Sequence, residues 1–319
     1  MSSEKNPRVI CLGGGHGLAA TLSAVRKITT EITAIVTVAD NGGSSGRLRD
    51  EFPIFPPGDL RMALAALCAD DHWGRSWADI LQYRFTSNGP LNGHAVGNLL
   101  LAALWDRDVD PVQGLDRVAD LLKVVGRVLP MASVPLDIEA TFDDSGKTHH
   151  VRGQVEVATA KGKLMSLHLV PESPKALPDA LKAIGQAQWI TVGPGSWFSS
   201  VLPHFLVPEQ LQALAKTSAK KIVILNLDSH PDAIADEFAG YTPFEHLQML
   251  HEYAPMMKID HVLVDGYELG DSQRLQVLVE SFGGTLHVAD LRQSPGSFHH
   301  DVEKLFSLLS HIMGQSLVG

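Results

Sequence analysis

The stretch Val9-Ile10-Cys11-Leu12-Gly13-Gly14-Gly15-His16-Gly17-Leu18-Ala19-Ala20 decides how the chain is read. An apolar run passes directly into a cluster of glycines, and Ala19 to Ile28 then reads as a helix. Each glycine in regular structure costs roughly 0.5–1 kcal/mol relative to alanine, so the cluster needs an offsetting role. Strand, glycine loop and helix in that order leave helix-start amides where an anion can approach the backbone closely. A sharp strand-to-helix turn would use the same glycines without a ligand. Gly15-His16-Gly17-Leu18-Ala19-Ala20 also fits the dinucleotide pattern G-x-G-x-x-A, with Asp40 placed where a ribose-binding acid would sit.

Outward from this loop, short runs rich in Val and Ile recur at Val9–Leu12, Ile32–Val38, Trp189–Val192, Ile222–Leu225, His261–Val264 and Leu286–Val288. Longer amphipathic stretches separate them. That alternation predicts an α/β fold with a doubly wound, mostly parallel sheet covered by helices. An interval of different character, about residues 60–160, lies between the second and third runs. It holds a helical region from Leu60 to Lys123, broken at Gly89-Pro90 and Asp110-Pro111. A small β-hairpin section follows, Leu136–Phe142 and His150–Ala158, joined by the turn formers Asp143-Asp144-Ser145-Gly146. We read the interval as an insertion in a single domain spanning 1–319. Thr242-Pro243-Phe244-Glu245 has the makings of a capped helix start.

Composition narrows the classes. With 45% hydrophobic residues in 319, the chain can bury a substantial core. No apolar run is long enough for a spanning helix and the first eight residues are polar, so a cytoplasmic protein with no membrane span is expected. Cys11 and Cys68 are too few for a disulfide framework and read as buried thiols. A formal charge of −10 argues against nucleic acid or acidic lipid as a partner. Any bound phosphate must therefore be held by a local cluster of donors. The pairs His149-His150 and His299-His300 lack metal-ligand spacing and read as surface or packing residues.

Four further motifs supply candidates. Asp40, Asn41, Gly42, Gly43, Ser44, Ser45 and Arg47 form a second glycine-serine loop, whose hydroxyls and guanidinium suit phosphate oxygens. Asp59 and Arg61 stand at a helix start, where Asp59 acts as a cap or holds a ribose, a magnesium ion or a phosphate. Asn92, His94 and Asn98 open an apolar helix, with His94 and Asn98 four apart on one face. Gly193, Gly195, Ser196 and Ser199 follow the third Val/Ile run and Asn226 the fourth, at strand ends where open α/β sheets bind ligands. With Gly13, Gly14, Gly15, His16, Gly17 and Leu18, these residues are expected to line one cleft; no catalytic residue is assigned.

Taken in order, Gly13–Leu18, Val36–Arg49, Pro56–Arg61, Asn92–Leu101 and Gly193–Pro203 resemble the bacterial gluconeogenesis factor family known as YvcK. Gly240-Tyr241-Thr242 and His246-Leu247 continue the likeness, which covers essentially the whole chain. That family is related in fold to the 2-phospho-L-lactate transferases, CofD, of deazaflavin cofactor biosynthesis. The resemblance implies a Rossmann-like core, binding of a UDP-sugar such as UDP-N-acetylglucosamine, and a regulatory role in carbon metabolism and cell shape. His16 stands where the family usually has Thr, and Asn41 where a second Asp is common. Leu227-Asp228-Ser229-His230 replaces a more neutral segment.

Two enzymatic alternatives accompany this reading. One is a CofD-like transferase of a phospho-acyl group from a nucleotide diphosphate carrier, with magnesium on Asp40 and Asp59. The other is an NAD-dependent oxidoreductase built on the G-x-G-x-x-A pattern, for which no proton-transfer residue is convincingly placed, His94 and His230 being the ones left open. A homodimer is compatible with sheets of this kind.

Overall fold

The computed structural model describes residues 6–108, 110–227, 241–267 and 271–315. The apolar runs form a seven-stranded sheet of β1 (Val9–Gly13), β2 (Ile32–Val36), β3 (Arg127–Pro130), β7 (Trp189–Val192), β8 (Lys220–Ile224), β9 (His261–Asp265) and β10 (Thr285–Ala289). Every neighbouring pair is parallel, in the order β10-β9-β8-β7-β1-β2-β3. A parallel sheet buries both faces of its inner strands, which explains why their sequences are runs of Val, Ile and Leu without alternation. β1 and β7 are buried at every position, whereas the edge strand β10 is half-exposed.

Three short helices lie on the β2 side of the fold: α2 (Gly43–Glu51), α3 (Pro57–Ala66) and α4 (His72–Gln82). The first crossover helix is α1 (Gly15–Val25), and α5 (Val96–Arg107) and α6 (Pro111–Leu122) complete the helical interval. Later helices are α8 (Pro178–Gln186), α9 (Pro203–Leu206), α10 (Pro208–Lys216), α11 (Pro243–Tyr253), α12 (Ser272–Ser281) and α13 (Val302–Gln315). α1 packs on α3 and α13, and α8 on α10. Thr242 starts α11 with both halves of a capping box in place.

The 60–160 interval differs from its sequence reading in two ways. It contains β3, a strand of the main sheet, whose four residues are too few to show a period. The second hairpin strand also ends early. β4 (Asp137–Asp144) pairs with β5 (Lys147–Arg152) across a turn in which Ser145 and Gly146 both have positive φ. Gly153, at φ 107, then turns the chain out of the strand, and the expected strand residues Gln154–Ala158 fall in the short helix α7 (Gln154–Thr159). A third strand, β6 (Lys163–Val170), completes an antiparallel sheet of order β5-β4-β6. Cys11 and Cys68 are buried thiols, and among the described residues no helix is long and apolar enough to cross a membrane.

Candidate functional site

The strand order reverses between β1 and β7, since β1 leads to β2 and β3 on one side while β7 leads to β8, β9 and β10 on the other. Crossovers leaving in opposite directions open a crevice at the carboxyl ends of those two strands. The loop after β1 and the loop after β7 flank it and pack against each other. A Cβ on Gly17 would stand 2.6 Å from the Pro194 carbonyl carbon and 2.9 Å from the Gly195 nitrogen, so only glycine permits the contact. The Thr21 hydroxyl donates to the Gly193 carbonyl at 3.3 Å. Asn226, just past β8, holds both sides of Gly195: the Gly195 N–H donates to Oδ1 at 3.1 Å and Nδ2 donates to the Gly195 carbonyl at 2.9 Å. α1 begins in this crevice with Gly14 at its N-cap and no side-chain cap.

The Asp40–Arg49 segment comes to the same rim. The Asp40 Oδ1 accepts the Gly42 N–H at 2.8 Å, and Arg49 donates to the Asp40 carbonyl at 3.0 Å and to Asp137 at 2.9 Å. α2 starts at Gly43, again with no side-chain cap. Ser45 accepts the Gly58 N–H at 3.1 Å, tying α2 to the first turn of α3. Ser44 meets His94 Nδ1 at 3.0 Å and accepts from Asn98 Nδ2 at 3.0 Å, while Asn98 Oδ1 accepts Arg61 Nε at 2.7 Å. This buried chain of polar groups fixes the angle of Arg61, a residue only 3% exposed.

The result is a cleft in two compartments. One of about 710 Å³ is walled by Asp40, Gly42–Ser45, Gly58, Asp59, Arg61, Met62, Arg84, Asn98 and α7. The other, about 600 Å³, is walled by Gly14–Gly17, Pro194–Ser196, Asn226 and the segment 293–302. Asp59 and Gln154 belong to both and mark the junction. A Cβ on Gly14 would overlap the Asp59 carboxylate and reach Thr37 Cγ2 at 2.6 Å, so the glycine loop lies directly on the acid.

The first compartment sets two guanidinium groups, Arg61 and Arg84, beside two carboxyl groups, Asp40 and Asp59. Burial, then the nearby Arg84, pulls Arg61 down to about 10, against the opposing pull of Asp59 and Asp40. Asp40 is held above the ordinary carboxylate value by burial, which outweighs the Gly42 amide, Ser45, Arg49 and Arg61. Two guanidinium groups facing one cavity favour an anionic guest. Among the described residues no group of three His, Cys, Asp or Glu forms a metal set. A magnesium ion would rest on Asp40 and Asp59, and two carboxylates plus ligand phosphates is an ordinary arrangement for that ion.

Several sequence candidates lie elsewhere. Arg47 donates to the Pro90 and Asn92 carbonyls at 3.1 and 2.8 Å, so it props the 85–94 loop and does not face the cavity. Asn92 is exposed on that loop and receives the Ser87 N–H at 3.1 Å. His94 precedes α5 instead of riding on it, because Gly93 at φ 75 and the Arg84–Ala95 bridge keep the chain in a turn. Asn41 faces α7, accepting the Val155 N–H at 3.1 Å and donating to Glu156 at 3.1 Å. Gly13 and Leu18 are buried beneath the loop. Gly193 supports it through Thr21, and Ser199 receives Gln154 Nε2 at 3.3 Å. The Gly195 amide is engaged by Asn226. Gly240, Asp228 and His230 lie outside the described residues.

The sequence reading missed Arg84, Gln154, Gln293 and Phe298, and it set aside His299 and His300, all of which wall the cleft. Arg84 donates to the Gly93 carbonyl at 2.9 Å and has no glycine or motif to flag it. The histidine pair was dismissed for lack of metal spacing, a test that says nothing about anion sites.

A family model described as 2-phospho-L-lactate transferase CofD matches residues 9–281. The chain belongs to this family, in its gluconeogenesis factor branch. A Mycobacterium tuberculosis (strain H37Rv) member of that branch is 44% identical over 316 residues, covering 97% of this chain and 91% of the relative. The gluconeogenesis factor of Listeria monocytogenes is 34% identical over 265 residues, covering 83% of this chain and 79% of its own length. A crystal structure of a UPF0052 family protein from Bacillus halodurans has the same fold, with a TM-score of 0.85 at 32% identity, over 96% of this chain and 99% of that one.

Proposed function

We propose that the protein binds a nucleoside diphosphate sugar of the UDP-N-acetylglucosamine type along the two compartments. In this reading it acts in the cytoplasm as a metabolite-responsive regulator of carbon metabolism and cell shape. The observation that carries the reading is the junction at Asp59 and Gln154, where the glycine-loop compartment opens into the arginine compartment. A diphosphate at the start of α1 meets helix-start amides and a positive helix end, which suit anions. Base and sugar then extend to either side, with Arg61 and Arg84 reaching the bridging oxygens. Charge-assisted hydrogen bonds of about 1.5–3 kcal/mol each, less ordering costs, support roughly micromolar affinity. Calorimetry with UDP-N-acetylglucosamine, NAD and GDP tests this: the UDP-sugar is expected to bind most tightly, and equal or absent heats for all three refute it.

The family match and the shared compartment of Asp40 and Asp59 favour a second reading, a magnesium-dependent transfer of a phospho-acyl group. Its signature is metal-dependent product formation that disappears in Asp59→Asn while UDP-sugar binding persists. Metal-independent background turnover in both proteins removes it.

A further inference from the structure

His16 lies in the first turn of α1, and His299 lies in the segment that leads to α13. Both are exposed, and their rings sit 6.1 Å apart, tilted by 56°, at the mouth of the 600 Å³ compartment. Packing gives no reason for this approach, since neither ring joins the core. The groups that act on His16 are all of one sign. Partial burial, then His299, Arg61 and Arg84, lowers its pKa below the ordinary imidazole value. Asp59 and His300 share the compartment wall. Around His299, Asp301 is occupied by the amides of Glu303 and Lys304, and Arg292 by Asp265. On α13, Glu303 pairs with Lys27, and Lys304 with Asp290. Two imidazoles and the positive end of a helix thus meet at one opening, with Arg61 and Arg84 acting on His16 from the adjoining compartment and Asp59 at the junction.

We infer that His16 and His299 form a proton-dependent clamp on the ligand's diphosphate, so that binding takes up protons and tightens as the medium becomes mildly acidic. The inference rests on the nucleoside diphosphate sugar reading and adds a regulator to it. Neutral imidazole offers one N–H donor, while the protonated ring offers two and a full charge. An anion between the rings stabilises the charged form of imidazole, and at His16 it opposes the lowering caused by burial and then by the neighbouring cations. Linkage then requires affinity to rise as pH falls from above the bound-state pKa towards the free-state one. His300 does not contribute, because burial pushes it down to about 4.

The test measures UDP-N-acetylglucosamine affinity by calorimetry at about pH 8 and pH 6, a range in which the ligand's diphosphate stays fully ionised. Two buffers of different ionisation enthalpy report proton uptake. Wild type is expected to bind at least about threefold more tightly at pH 6, the equivalent of half a pKa unit of coupling, with net proton uptake. The variant His16→Gln/His299→Gln is expected to lose this dependence, and His16→Arg/His299→Arg to bind tightly at both pH values. Since both side chains are exposed, all three proteins should share one melting temperature. Equal wild-type affinity at the two pH values, or an undiminished dependence in the Gln variant, overturns the clamp. If the UDP-sugar fails to bind at any pH, the ligand reading falls separately. NMR titration of the two imidazoles with and without sulfate then judges the clamp alone: a raised pKa at either ring supports it, and unchanged values refute it.

Discussion

Gly17→Ala probes the contact on which the cleft depends. The new Cβ would lie 2.6 Å from the Pro194 carbonyl carbon and 2.9 Å from the Gly195 nitrogen, where ordinary contacts begin at 3.4 Å. Both obstacles are backbone, so no side chain can swing aside and the two loops must part by close to 1 Å. Overpacking of this kind costs about 1–3 kcal/mol. Alanine in a helix returns about 0.8–1 kcal/mol relative to glycine, which leaves a net destabilisation of roughly 0–2 kcal/mol. Binding should suffer more than folding. A shift of that size breaks at least one charge-assisted hydrogen bond to the diphosphate, worth about 1.5–3 kcal/mol, and hence weakens Kd at least about tenfold. Urea denaturation and calorimetry with UDP-N-acetylglucosamine on the same protein separate the two effects. A variant that binds with wild-type affinity would refute the claim that apposition of the β1 and β7 loops builds the site.

Asn226→Ala leaves the Gly195 N–H and carbonyl without their side-chain partner, and a loss of about 1–3 kcal/mol is expected in urea denaturation; an unchanged midpoint would mean that Asn226 does not hold the loop. Stability should also depend on pH through the buried histidines. Burial depresses His204 to about 4, His246 to about 3 and His300 to about 4, from the ordinary 6.5. The unfolded chain therefore binds the extra protons between those values, so stability is full above about pH 6.5 and declines towards pH 4, by at most about 1.4 kcal/mol per pH unit for each ring. Equal denaturation midpoints at pH 7 and pH 5 would contradict this.

The main sheet was legible because parallel strands buried on both faces must be continuous apolar runs, and six of its seven strands announced themselves that way. β3 escaped because Arg127 and Pro130 leave it only Val128 and Leu129 as an apolar run. β6 escaped for a different reason: a register shift opposite Thr141 and Phe142 breaks its alternation between Leu164 and Leu167. In Gln154–Thr159 the valines favour a strand, yet Gly153 and the Asn41 contact to Val155 impose a helical turn instead. Tertiary context overrode propensity there.

The glycine loops of the site were readable in sequence because glycine marks places where backbone must approach backbone or ligand. Side-chain roles were less so. Arg47 and Arg61 look alike in sequence, both standing near glycine at a helix start. Only the Asn98–Ser44 network turns Arg61 inward, while two loop carbonyls draw Arg47 outward. Arg84 and His299 reach the cleft from segments with no motif, through the packing of α4 on α5 and of α13 on α1.

The central claim is that one ligand spans both compartments across Asp59 and Gln154. A crystal structure with UDP-N-acetylglucosamine bound tests it most directly. Continuous density is expected, with the diphosphate at the start of α1 and the rest of the molecule extending past Asp59 towards Arg61 and Arg84. Density confined to another surface, or a diphosphate remote from the Gly14–Gly17 amides, would contradict it.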